Sequence, residues 1–120
     1  MTPADFARRA TDDAKRAGNG VALDPITLIV IAAALTAAVE YIVTHCLDWL
    51  THHVVTSPNA AHRGTLRLWV VRPAVQKALR DAGHPPGIDR HTIEDRVVAG
   101  LLSAGQGLTE AEFASLKGSR

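Results

Sequence analysis

From Ile26 to Val39, in "LDPITLIVIAAALTAAVEYIVTHCLDWL", nothing more polar than Thr27 and Thr36 interrupts a run of aliphatic residues. Asp24 and Pro25 stand ahead of it as an N-cap and a first-turn proline, so the run predicts a helix from Pro25 to about Leu50 or His53. A helix on the surface of a small protein carries a charged side. This one has none before Glu40, so something must surround it. A chain of 120 residues has room for one core, and its other helices offer only thin stripes of alanine and a few branched residues. One copy is therefore expected to leave the central helix partly uncovered, with lipid or a second copy supplying the rest.

Both suppliers have support in the sequence. Ile26 to Leu47 matches the roughly 20 residues that cross a bilayer, with Trp49 where an interfacial aromatic belongs. Against lipid stands Glu40, since an acid at that depth costs about 2.5 to 3.5 kcal/mol on insertion scales. Ala33 with Ala37, and Ala34 with Ala38, set small residues one turn apart and let two helices approach closely in either medium. Ile29, Ala33, Ala34, Ala37, Ala38 and Glu40 are accordingly the expected self-association residues.

The rest of the chain also reads as helices. Thr2 and Pro3 start an amphipathic arm that Gly18 and Gly20 stop. "VVTSPNAAHRG" reads as a turn, with a second cap signal at Ser57–Pro58. Leu66, Leu68 and Val70 alternate like a strand, but no second strand is available to pair with it. Helix or extended linker is preferred there, with a helix from Pro73 to the "AGHPPG" turn. Asp89 caps a helix carrying Ile93, Val97 and Leu101 on one face and ended by Gly105 and Gly107, and Thr109 with Glu112 has capping-box spacing. The expected fold is all-α, four to five helices around one long, strongly apolar central helix. It divides into an N-terminal amphipathic arm (1–20), the central helix (21–56) and a C-terminal helical segment (57–120).

Functional motifs are sparse. The formal charge of +1 supplies no overall field toward nucleic acid or anionic lipid. The single cysteine, Cys46, makes no internal disulfide and fits no structural zinc frame. There is no glycine-rich phosphate loop, GxSxG elbow or helix-bundle pair of metal-binding acids, so no enzyme and no cofactor is expected. His45, Asp48 and His52 fall along one helical face, but only Asp48 and His52 have ligand spacing, and a polar stripe explains them better than a metal. His52 and His53 at a helix end invite a pH-switch reading. Arg63, Arg67 and Arg72 surround Trp69 in the one basic and aromatic cluster, a candidate for contacts with phosphates or anionic headgroups. The acids at Glu94, Asp95, Glu110 and Glu112 sit at helix starts, where capping and dipole effects account for them.

The leading expectation is a non-enzymatic structural or assembly protein that self-associates through its central helix in a membrane, with the C-terminal segment cytoplasmic because the arginine cluster lies on that side. The first residues lack the apolar core of a secretory signal, so export by that route is not expected. The alternatives are a soluble homo-oligomeric virion or scaffold component, cytoplasmic or in the virion, and a small nucleic-acid-binding helical module. Abundant alanine and the excess of arginine over lysine suit a GC-rich prokaryote or its phage. No small-molecule substrate is indicated.

Overall fold

Short polar side chains fix where each helix begins. The structure, a computed structural model, describes residues 1–17, 23–56 and 59–118, and among these every regular element is helical. α1 (Pro3–Arg16) starts at a capping box in which Thr2 Oγ1 accepts from the Asp5 amide at 3.2 Å and Asp5 Oδ2 accepts from the Thr2 amide at 3.1 Å. α2 (Pro25–Val54) starts where Asp24 Oδ1 accepts from the Thr27 amide at 2.8 Å. α3 (60–81) is capped by Asn59, α4 (Arg90–Gln106) by Asp89, and α5 (Glu110–Lys117) by the expected Thr109–Glu112 box. The stop signals at Gly18 and Gly20 and the cap signal at Ser57–Pro58 lie outside the described residues.

α3 corrects the expected start at Pro73. The helix begins at Ala60, more than three turns earlier, and Leu66–Val71 is helical. Proline is tolerated inside it because the turn just before, Arg67–Val71, widens to π geometry, with the Arg72 amide bonding the Arg67 carbonyl. A proline ring clashes with a regular preceding turn, and a wider one makes room. Ile42–Cys46 and Leu50–Val54 in α2 are also π-turns. In or beside each, a threonine hydroxyl donates to the carbonyl four residues back, Thr44 to Glu40 at 2.8 Å, Thr51 to Leu47 at 2.9 Å and Thr65 to Ala61 at 3.0 Å, which loosens the backbone ladder. α3 ends at Gly83, whose φ of 77° is the left-handed conformation that lets the His84 amide reach the Leu79 carbonyl at 2.9 Å.

The helices pack around α2. α1 packs on α4 and α2, and the Arg72–Asp81 part of α3 packs on α2. Val30, Ile31, Ala34, Leu35, Ala38, Val39 and Ile42 of α2 are buried in one core with Phe6 and Ala10 of α1, Val71 and Val75 of α3, and Ile93, Val97 and Leu101 of α4. α1 and α4 approach closely because position 100 is glycine: a Cβ there would stand 2.4 Å from the Ala10 carbonyl oxygen and 2.9 Å from Ala14 Cβ. Arg96 Nη1 secures the end of α1 by donating to the Ala14 carbonyl at 3.1 Å.

A second set of contacts ties the chain's beginning to its last helix. Arg9 donates both arms of its fork to Glu112, at 3.3 and 2.7 Å, and the Met1 ammonium donates to Ser115 Oγ at 2.9 Å. The Arg9 fork and then the Thr109 amide hold the Glu112 carboxyl at about 2, down from 4.5. A carboxyl depressed in the folded state stabilises it fully above about pH 4.5 and loses that contribution as pH falls toward 2. Urea unfolding of the native protein is therefore expected to weaken between those pH values more steeply than that of Glu112→Gln. Parallel curves for the two proteins would show that the fork contributes nothing.

Candidate functional site

One copy of the chain covers one side of α2 and leaves the other open. Leu35 and Val39 are fully buried, whereas Ile26 is 52% and Ile29 64% exposed. The six expected self-association residues divide between the two sides. Ala34 and Ala38 are consumed by the chain's own core, Ala37 is half-buried, and Ile29, Ala33 and Glu40 lie in the open stripe. Ile26, Ile29, Ala33, Thr36 and Glu40 follow one another at steps of three and four, so they form a continuous ridge along the helix. α2 is the one helix among the described residues long and apolar enough to cross a membrane, and half of its most apolar stretch is buried inside the chain.

Thr36 and Glu40 separate two clefts. The one toward α1, about 360 Å³, is bordered by Arg8, Asp12 and Lys15. The one toward α3, about 350 Å³, is bordered by Lys77 and Asp81, which pair with each other at 2.9 Å. The Ala33–Glu40 end of the ridge therefore lies between two rims, each carrying both signs of charge. The Glu40 carboxylate has no hydrogen bond or ion pair among the described residues.

The basic cluster divides in the same way. Arg67 turns inward, with Nη1 3.7 Å from the fully buried Glu94 and Nη2 bonded to Asp95. Arg72 also faces Glu94, at 3.9 Å, and so does Arg90 of α4, at 3.4 Å. Arg63 lies on the rim of a groove between α3 and α4. Trp69 is 68% and Leu68 49% exposed, next to these arginines on α3. Glu94 thus does more than serve a helix start: three guanidiniums from two helices gather around it. Its spacing from Val97, Val98 and Leu101 already put it on the apolar side of α4, and Arg90–Glu94 is an i, i+4 pair. Its pairing with Arg67 and Arg72 depends on how α3 meets α4, which local spacing does not report.

The histidine stretch is dispersed. His45 meets Tyr41 at a tilt, with ring centroids 4.8 Å apart and planes at 49°, His52 meets the Phe113 ring edge-on at 5.3 Å, and Asp48 lies 3.7 Å from Lys117 Nζ. The two π-turns break the regular phase that would align these three side chains. Among the described residues no group of three His, Cys, Asp or Glu is placed to hold a metal ion. Cys46 is half-buried, and burial pushes its thiol pKa up, which disfavours the reactive thiolate. No protein-family model, curated protein or solved structure matches the chain.

Proposed function

We propose that the chain is a non-enzymatic helical assembly protein that pairs with a second copy of itself through the open ridge of α2. The observation that carries this reading is the exposure of Ile26 and Ile29 on a ridge whose other members are Ala33, Thr36 and Glu40. Contiguous exposed apolar surface marks a partner site. Ala33, and Ala37 beside it, are small enough to admit another helix backbone at close range. The charged rims favour protein over lipid as the cover. Hydrocarbon offers Arg8, Asp12, Lys15, Lys77 and Asp81 nothing to pair with, whereas a two-fold copy presents both signs again. Spanning a bilayer would also require α2 to leave α1, α3 and α4 and expose the core they share. Assembly, not chemistry, is the role that this surface supports.

Mass in solution with and without detergent tests the reading. The native protein is expected to sediment as a dimer in buffer, and Ile29→Lys to raise the dissociation constant roughly 30-fold, the equivalent of about 2 kcal/mol for a central apolar anchor. A native protein that stays monomeric at every concentration removes the proposal. Recovery only in detergent, with resistance to carbonate extraction, transfers the ridge to lipid.

A further inference from the structure

We infer that the second copy docks antiparallel, so that Ile29 of each copy enters the hollow over Ala33 and Ala37 of the other. The inference rests on the pairing proposed above and adds its orientation and its contact residues. The ridge of α2 is uneven along its length. Its first part is raised by Ile26 and Ile29, 52% and 64% exposed. Its second part carries Ala33, Thr36 and Ala37 and is flanked by the clefts of about 360 and 350 Å³, the latter lined by both alanines. A surface that is high at one end and low at the other does not fit a parallel image of itself: Ile29 would meet Ile29, and the hollows would face each other unfilled. Ala33 lies midway between Ile29 and Ala37. An antiparallel two-fold at Ala33 therefore sets Ile29 against Ala37, while the facing Ala33 pair lets the helices cross at short range.

Charge favours the same orientation. In a parallel pair Glu40 would face Glu40 across the axis, two carboxylates without ion pairs of their own at the edge of an apolar contact, and like charges in that position oppose association. Glu40 stands seven residues beyond Ala33. In the antiparallel pair the two carboxylates consequently lie about 21 Å apart along the helices, at roughly 1.5 Å of rise per residue, well beyond the screening length of about 8 Å at physiological salt. The rim of α3 also suits reversal. It carries Lys77 and Asp81 one turn apart, and an antiparallel two-fold sets each rim against its own image reversed, cation toward anion.

Disulfide cross-linking of the full chain tests the orientation, in a Cys46→Ala background that removes the native thiol. Ile29→Cys and Ala37→Cys proteins, mixed in equal amounts and oxidised, are expected to yield the mixed disulfide, identified by its intact mass, in preference to either homodimer. A size exchange provides a second measurement by sedimentation. Ala37→Ile alone sets two isoleucines against each other and should weaken pairing about tenfold or more. Ile29→Ala with Ala37→Ile restores one large and one small side chain at each contact and should regain most of that loss, a recovery that a parallel pair has no means to produce. If Ala37→Ile fails to fold, the cross-link decides alone. A protein that is dimeric by sedimentation but yields Ile29→Cys homodimers in place of the mixed species overturns the orientation and leaves the pairing standing. A native protein that never leaves the monomer overturns both.

Discussion

Replacing Gly100 with leucine is expected to lift α1 from α4 and to destabilise the protein by about 3 kcal/mol, the upper end of the usual cost of overpacking. The cost is high because the obstructing atoms are backbone. The Ala10 carbonyl oxygen would stand 2.4 Å from the new Cβ, and no rotamer change moves a main-chain carbonyl. α1 would have to shift as a rigid body, taking Phe6, Ala10 and Ala14 out of the core and straining the Arg96 and Arg9 bonds that hold its last turn and its middle. Gly100→Ala meets the same oxygen but gains about 1 kcal/mol of helix propensity, so it should fall between the native protein and the leucine variant. Urea titration supplies the free energies, and tryptic cleavage after Arg8 and Arg9 reports whether α1 has come away. A leucine variant as stable and as resistant as the native protein would mean that α1 does not rest on position 100.

The caps were legible in the sequence because they are local. Thr2, Asp24, Asp89 and Thr109 each act on an amide two or three residues away, and each starts a helix as read. The long α3 was not legible, since Pro73 reads as a start wherever the preceding turn is assumed to be regular, and a π-turn is decided by packing and back-bonding together. The site was half legible for a different reason. An apolar run with no polar side carries no phase, so the sequence marks Ala33 and Ala34 alike as interface candidates. Only the neighbours distinguish them: the core helices take Ala34 and Ala38, and Ala33 stays outside. What eluded spacing rules at Glu94 is its pairing with Arg67 and Arg72, because those arginines of α3 lie more than twenty residues away.

The same division of α2 into two sides makes Leu35→Ala and Ile29→Ala an informative pair. Leu35 is fully buried, and its truncation is expected to cost about 2 to 5 kcal/mol through lost burial and the cavity left behind. Against the roughly 5 to 15 kcal/mol that holds a domain folded, that loss is enough to bring the chain near its unfolding threshold. Ile29 is 64% exposed, so its truncation should change the stability of a single copy by no more than about 0.5 kcal/mol. Its effect belongs to assembly instead. In a dimer that forms through the ridge, the native melting temperature rises with protein concentration, and Ile29→Ala should flatten that rise while Leu35→Ala lowers the whole curve. In a bilayer with α1, α3 and α4 withdrawn, both side chains would face lipid or a sister helix and neither would support a shared core. The two variants would then behave alike, so equal effects on thermal stability would argue against this packing of α2, and a large difference of the stated sign would argue for it.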